Sequence, residues 1–181
     1  MLFSRKIEAN DFEQAALPHL NELYRTAVRL VADRAAAEDL VHETYMQAWK
    51  CFHRFQKGTN CRAWLFKILL NKIKHHRRKW FRSQKESEEA LAGLVYEAPV
   101  PEHLCDEEVL NALDKLPAYY REVILLTDVQ ELSYKEVAYI LGVRIGTVMS
   151  RLSRGRKLLR GELASVAESY GIKSATRENK G

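Results

Sequence analysis

The chain has no apolar run approaching the roughly 20 residues that a transmembrane helix needs, and its longest apolar stretches are flanked by lysines. Its first ten residues mix charged and apolar side chains and contain no signal-peptide core. We therefore expect a cytoplasmic protein, 181 residues long, that does not insert into a membrane.

Cysteine is scarce as well. Cys51, Cys61 and Cys105 are an odd number at wide spacing, which is a poor disulfide framework and matches no zinc-ligand spacing. A redox or metal role stays open because His53 lies near Cys51, although lone cysteines usually behave as small buried hydrophobes. We predict that the protein binds no metal and no cofactor.

Catalytic constellations are missing too. The sequence contains no glycine-rich phosphate loop, no nucleophile elbow and no histidine pair at metal-binding spacing. The adjacent His75 and His76 diverge by about 100 degrees on a helix, so they cannot both face one ion comfortably. The protein is therefore not predicted to be an enzyme.

Glycine and proline are few, at eight and four residues, and apolar residues recur at three- and four-residue spacing rather than alternating. This periodicity predicts an all-α fold. The predicted helices cover residues 17–31, 33–52, 63–82, 133–141 and 145–163, with two short ones between Asp106 and Leu126.

Composition changes between the two groups of helices. Residues 83–102 are mostly polar and acidic, and Pro99 and Pro101 resist a continuous helix. A solvated tether with no role beyond its length is one reading of this stretch. We predict two small helical domains over 1–82 and 106–170, joined by an acidic flexible linker over 83–105 and followed by a polar tail over 171–181.

Charge is distributed in blocks. Residues 62–82 contain eight Lys or Arg and no acid, residues 86–108 contain eight acids and no Lys or Arg, and residues 144–160 contain six Lys or Arg and no acid. Two basic blocks separated by an acidic one suggest two surfaces that touch a polyanion, joined by a segment that does not.

The segment before the second basic block has the layout of a helix-turn-helix. Ser133 and Glu136 form a capping box at the start of one helix, and Gly142 ends it where a left-handed residue is needed. The next helix follows after a short turn, as it does where a recognition helix enters the major groove.

This second helix carries hydroxyl and basic side chains that suit contacts with bases and phosphates. A solvated amphipathic helix is the alternative, and the capping box and glycine turn favour DNA binding over it. The predicted DNA-contacting residues are Arg144, Thr147, Ser150, Arg151, Arg154, Arg156 and Lys157.

The first basic block forms a different kind of surface. Its cations and the nearby Trp80 and Phe81 suit single-stranded or melted DNA, where phosphates meet the charge and exposed bases can stack. Solvated lysines beside core tryptophans are the alternative. One exposed stripe carries Lys67, Asn71, Lys74 and Arg78, and Lys72 and Arg77 widen it.

The preceding helix has an acidic face. Asp39 and Glu43 lie four residues apart on one side, with Gln47 next in line. A surface for a basic protein partner is more plausible than acid–base catalysis, and an ordinary solvated face is nearly as plausible.

Five segments resemble, in order, the extracytoplasmic-function sigma factors of the sigma-70 family. They are residues 33–49 (DRAAAEDLVHETYMQAW), 62–71 (RAWLFKILLN), 116–126 (LPAYYREVILL), 132–142 (LSYKEVAYILG) and 146–156 (GTVMSRLSRGR). The first two are similar to the second conserved region and its promoter-melting helix, and the other three to the C-terminal domain and its recognition helix.

The resemblance implies a sigma factor that binds core RNA polymerase at the β′ clamp and β flap and directs transcription from particular promoters. It implies contact with the clamp through Asp39, Leu40, Glu43 and Gln47. It implies capture of the melted −10 strand through Arg54, Lys57, Asn60, Arg62, Lys67, Asn71, Lys72, Lys74, Arg77 and Arg78. The residues named above on the recognition helix would read the −35 duplex.

Three positions depart from the family pattern: Met149 replaces a frequent lysine, Arg144 a proline or small residue, and Gly155 a frequent alanine. The glycine alone is expected to weaken its helix by up to about 1 kcal/mol. These departures prevent the transfer of a −35 sequence preference. Regulation by an anti-sigma factor is expected, since no sensor domain is visible.

The main alternative is a stand-alone helix-turn-helix regulator. It explains the C-terminal half equally well, but not a basic aromatic helix suited to melted DNA. An enzyme acting on nucleic acid is more distant, because no catalytic constellation supports it.

Overall fold

The computed structural model describes residues 2–56, 58–86 and 104–169, with side chains described for 9–56, 58–79 and 109–164. All regular secondary structure within these residues is helical, which confirms the predicted all-α class. The α-helices are α1 (Leu2–Ala16), α2 (Leu20–Val31), α3 (Arg34–Cys51), α4 (Cys61–Glu86), α5 (Leu104–Asp114), α6 (Ala118–Ile124), α7 (Tyr134–Leu141) and α8 (Ile145–Ser169). The predicted linker and tail fall mostly outside the described residues.

Two differences from the predicted elements lie near the N-terminus. Helix α1 was not predicted, because residues 1–10 show no clear apolar periodicity. Helix α2 begins at Leu20 rather than at residue 17, because Pro18 occupies a short 3₁₀ turn over Leu17–His19. Proline fits the first turn of a helix, where no backbone N–H is needed.

The link between α2 and α3 is only two residues long. Ala32 ends α2 in the left-handed conformation, with φ of 55°, and its N–H donates to the Val28 carbonyl. Asp33 then caps α3, its carboxylate accepting from the Ala36 N–H at 3.1 Å. These two caps allow α2 and α3 to pack against each other.

Helix α4 lies at the centre of the structure. It packs against α1, α2 and α3 on one side and against α7 on another. Its fully buried side chains are Leu65, Phe66, Leu69, Leu70 and Ile73. Each such side chain stabilises the fold by about 1.5–3 kcal/mol relative to full exposure, so α4 anchors both halves of the chain.

In the C-terminal half, α7 and α8 form the predicted helix-turn-helix, and α6 packs on α8. The capping box is present: the Glu136 N–H donates to the Ser133 hydroxyl, and the Ser133 N–H donates to the Glu136 carboxylate. Gly142 ends α7 with φ of 68°. Between α6 and α7 the chain forms a π turn over Leu125–Val129.

The packing of α6 on α8 explains Gly155. A Cβ atom at this position would lie 3.1 Å from Ile124 Cδ1 and 3.2 Å from Tyr120 Cβ. Glycine therefore permits a close approach of the two helices. At Gly161, farther along α8, a Cβ atom would meet nothing within 4 Å.

We predict opposite effects of alanine at these two glycines. Gly155→Ala should lower the free energy of unfolding by about 1 kcal/mol, because crowding against α6 outweighs the gain in helix propensity. The control Gly161→Ala should raise it by up to about 1 kcal/mol. Urea denaturation followed by circular dichroism measures both, and equal stabilisation by the two changes would contradict the close packing at Gly155.

Candidate nucleic-acid and protein interfaces

The recognition helix α8 presents most of its predicted contact residues to solvent. Val148 and Leu152 form its buried stripe. Thr147 and Arg151 are half-buried near the start of the helix. The exposed members of the predicted set are Arg144, Ser150, Arg154, Arg156 and Lys157. The structure therefore brings the residues predicted for duplex DNA together on α8, except Arg144, which directly precedes the helix.

Two arginines of this surface have partners within the protein. The Arg151 guanidinium lies 5.6 Å from the centroid of the Tyr119 ring. Arg156 donates from Nε and Nη2 to the two carboxylate oxygens of Asp128, at 3.0 and 2.5 Å. An exposed ion pair of this kind contributes at most about 1 kcal/mol, so a DNA phosphate can replace Asp128.

The cations of α4 do not form one exposed stripe. Asn71 and Arg78 are exposed, but Lys67, Lys74 and Arg77 are half-buried against the C-terminal half. The prediction that four of these side chains share an open surface is therefore wrong for Lys67 and Lys74 in this conformation. Helical periodicity places residues on a face but does not show what covers that face.

Four contacts cover these cations. The Lys67 ammonium lies 3.7 Å from the Tyr139 ring centroid, and Lys74 Nζ donates to the Leu141 carbonyl at 3.4 Å. Arg77 forms an ion pair with Glu122 at 2.8 Å, and its other terminal nitrogen donates to the Leu30 carbonyl. Every one of these partners except the Leu30 carbonyl belongs to the C-terminal half.

The start of α4 is held in the same way. Asn60 caps the helix by accepting from the Ala63 N–H at 3.0 Å, and its amide donates to Glu136. Arg62 donates to the Glu22 carboxylate and, at 2.9 Å, to the side-chain oxygen of Gln130.

Of the other residues predicted for the −10 strand, Arg54 and Lys72 lie apart from this contact. Arg54 is exposed after α3, and Lys57 lies outside the described residues. Lys72 points toward α3, where its ammonium pairs with Glu43 at 3.0 Å. The structure therefore places Lys72 beside the acidic face, away from Lys74 and Arg77.

The acidic face of α3 is open. Asp39, Glu43 and Gln47 are exposed, whereas Leu40 is only 5% exposed. A groove runs between α3 and α4, with Leu40 and Ile68 as its apolar lining. Its polar lining consists of Glu43, Gln47, Asn71, Lys72, His75, His76 and Lys79. A partner in this groove would meet an acidic and an amide side chain from α3, mainly basic side chains from α4, and a narrow apolar strip between them.

Of the three cysteines, Cys51 and Cys61 have described side chains, and both are free thiols. Burial raises the pKa of the Cys61 thiol, which disfavours the reactive thiolate. Cys51 accepts a hydrogen bond from Gln47, and Cys105 lies outside the residues with described side chains. Over the described part of the chain, no three side chains of His, Cys, Asp or Glu are grouped to hold a metal, and no helix there is long and apolar enough to span a membrane.

Sequence reasoning missed the residues that join the two halves. Glu122 is 6% exposed and Gln130 is 9% exposed, and Gln130 also donates to the buried Thr26 hydroxyl at 3.1 Å. The one available signal was a glutamate directly before the apolar run at residues 123–126, since a buried carboxylate requires a partner.

Known proteins are similar to the chain over both halves. Residues 16–82 match the family described as Sigma-70 region 2, and residues 106–159 match Sigma-70, region 4. The chain is 36% identical to the ECF RNA polymerase sigma factor EcfG of Rhodopseudomonas palustris, over 90% of both chains. It is also 36% identical to the ECF RNA polymerase sigma factor SigE of Mycolicibacterium smegmatis, covering 84% of this chain but only 64% of that protein.

A solved structure has a similar fold. It is the sigma factor RpoE of Bartonella quintana in complex with the anti-sigma factor NepR. The two chains are 37% identical, with a TM-score of 0.77 over 84% of this chain and 96% of that one.

The capping box makes a testable contribution to stability. The hydrogen bond from the Ser133 hydroxyl is the main cause that holds the pKa of Glu136 below its ordinary value of 4.5, against an opposing effect of burial. A carboxyl with a lowered pKa in the folded state stabilises the fold above its ordinary pKa and loses that effect as the pH falls through the folded value.

We predict that Ser133→Ala lowers the free energy of unfolding by about 1 kcal/mol at neutral pH. The loss should shrink below about pH 4, where a protonated Glu136 no longer gains from the Ser133 hydroxyl. Urea denaturation at the two pH values measures this, with Ser153→Ala on the exposed side of α8 as control. An equal loss at both pH values would exclude the ionised Glu136 from the cap.

Proposed function

Since this chain belongs to the extracytoplasmic-function sigma factors of the sigma-70 family, which direct RNA polymerase to particular promoters, we propose that its two basic helices divide the promoter between them. The family is not one of catalytic enzymes. Helix α8 reads the −35 element as duplex, and α4 with the turn before it holds the melted −10 strand. The observation that supports this proposal is that α4 in the N-terminal half and α8 in the C-terminal half are both basic.

The geometry of α8 supports the duplex role. The N-terminal end of the helix presents Thr147 and Ser150, followed one turn later by Arg154, while Val148 and Leu152 anchor the opposite side in the core. Small hydroxyls near the groove floor and arginines farther along are suited to base edges and phosphates.

The composition of α4 supports the single-strand role. Asn71 and Arg78 are exposed on it, and Lys67, Lys74 and Arg77 lie on the adjoining side. Cations at successive turns of one helix can follow the phosphates of a single strand, with bases free to stack nearby. A stand-alone regulator has no use for such a surface.

The open face of α3 supports a role in polymerase binding. We assign Asp39, Glu43 and Gln47 to the contact with the polymerase clamp, and Leu40 to the apolar strip beneath them. The buried fraction of Leu40 means that it supports this face more than it contacts a partner.

An anti-sigma factor is the proposed regulator. The similar sigma factor of Bartonella quintana was solved with its anti-sigma factor NepR, and its fold matches this one over most of both chains. Core polymerase and an anti-sigma protein would then compete for this chain.

We predict that the two basic surfaces act at different steps of initiation. Arg151→Ala should reduce transcription from a duplex promoter by about tenfold, as expected for the loss of a base or phosphate contact. Arg78→Ala should reduce it through promoter opening, so a template already unpaired at −10 should restore this variant but not Arg151→Ala. Reconstituted transcription with core polymerase measures both, and equal restoration of the two variants would contradict the division.

We predict that a charge reversal on α3 acts at a third step. Asp39→Lys should weaken binding to core polymerase by about tenfold, because it places a cation on the acidic face. The matched control is Glu38→Lys, since Glu38 is exposed on the same helix but lines a different groove. Core affinity can be measured by fluorescence titration, and an equal loss in the control would assign the effect to net charge alone.

A further inference from the structure

The recognition helix α8 exposes an apolar side chain among its polar ones. Met149 is 53% exposed, more than any other large apolar side chain described on this helix. Ile145, four residues earlier and therefore beside it on the helix surface, is 41% exposed. Val148 and Leu152, in contrast, are buried and fill the core side of α8. The first two turns of the helix therefore carry an exposed apolar patch.

Met149 lies on the part of α8 that we assign to base contacts. At about 100° per residue, it is about 40° around the helix axis from Ser153 and about 20° from Arg156, and both of these residues are exposed. Recognition helices contact base edges through their N-terminal residues. Met149 is in the second turn and Arg156 lies two turns farther along nearly the same line. Met149 is therefore placed to reach base edges, and Arg156 to reach a phosphate.

A glycine in the first turn lets this surface come close to a partner. Gly146 is exposed three residues before Met149 and four before Ser150, so it lies between them on the helix surface. A Cβ atom at Gly146 would meet nothing within 4 Å, so no described part of the protein crowds this position as α6 crowds Gly155. Glycine weakens a helix relative to alanine. A glycine that relieves no clash inside the protein favours close approach by an external surface.

The chemistry of methionine limits what Met149 can recognise. Its side chain has no N–H or O–H to donate, and its thioether sulfur is only a weak acceptor, so it pairs poorly with the polar groups of base edges. The C5-methyl group of thymine is the apolar group that unmodified base pairs present in the major groove. A flexible, polarisable methionine adapts its shape to such a group, and the contact removes apolar surface from water on both sides.

We propose that Met149 is a specificity-determining residue of the −35 contact, and that it selects a thymine by packing against the C5-methyl group. Ile145 packs beside it, and Gly146 permits the close approach. Ser150 and Arg154 recognise donors, acceptors and phosphates, whereas Met149 recognises the methyl group. This inference rests on the proposed role of α8 at the −35 element.

The alternative occupant of an exposed apolar patch is another protein, such as the polymerase. Residues 144–160 contain six Lys or Arg and no acid, and the exposed Ser150, Arg154 and Lys157 share the outer side of α8 with the patch. This charge is complementary to the phosphates that flank every base step of a duplex. The surroundings therefore favour DNA as the occupant, and contact with the polymerase is an outcome of the test.

The test replaces thymine by uracil, which removes the C5-methyl group and leaves the hydrogen-bonding pattern of the base pair unchanged. Holoenzyme, reconstituted from the full chain and purified bacterial core polymerase, is titrated onto a fluorescein-labelled promoter fragment that it transcribes. Fluorescence anisotropy gives the affinity, and each thymine of the −35 element on either strand is replaced in turn. The variants are Met149→Ala and Met149→Leu. The control is Leu158→Ala, whose side chain is 46% exposed on the opposite side of α8.

We expect uracil at one −35 position to reduce the affinity of the unsubstituted protein by about fourfold, the factor that corresponds to one buried methyl group. Met149→Ala should bind the thymine and uracil fragments equally, and no better than the unsubstituted protein binds the uracil fragment. Met149→Leu should keep most of the preference, because leucine is apolar and of similar size. Leu158→Ala should keep the whole preference.

The other outcomes overturn the proposal or the role on which it rests. If the affinity depends on the −35 sequence but no uracil substitution reduces it, the protein reads no methyl group there, while the duplex role of α8 stands. If the preference for thymine persists in Met149→Ala, another residue reads the methyl group. An equal loss on both fragments, matched by weaker binding to core polymerase, would assign the patch to the polymerase. If scrambling the −35 element leaves the affinity unchanged, the proposed role of α8 itself fails.

Discussion

The burial of helix α4 on two sides is the constraint on which the rest of the structure depends. Its apolar residues fill the N-terminal core, and its cationic stripe is covered by the C-terminal half. A helix used by both halves cannot change its surroundings on one side without effect on the other. Helix α4 therefore both stabilises the N-terminal half and forms its contact with the C-terminal half.

The contact between the halves is specified by polar groups whose burial requires partners. Glu122 is almost fully buried, and an unpaired carboxylate in that position would be costly. Arg77 satisfies it, and the Leu30 carbonyl orients the guanidinium from the N-terminal side. Gln130 acts similarly toward Arg62 and Thr26. Such groups determine the relative orientation of the halves but add little to the free energy of their contact, because each group can exchange its partner for water.

Local features were predictable from the sequence, whereas the contact between the halves was not. The capping box at Ser133 and the left-handed Gly142 were both predicted and are both present, since each depends on a few neighbouring residues. The covering of Lys67 and Lys74 depends on residues about 70 positions away, which no periodicity reveals. The sequence predicts that Gly155 weakens its helix. In the structure, the absence of a Cβ atom at Gly155 permits the close approach of α6.

The contact between the two halves limits which side chains of α4 a partner can reach. A partner that required Lys67, Lys74 and Arg77 of α4 would bind only the fraction of molecules in which these side chains are free, and its apparent affinity would be reduced by that fraction. The two halves belong to one chain, so their contact re-forms at high effective concentration whenever it opens.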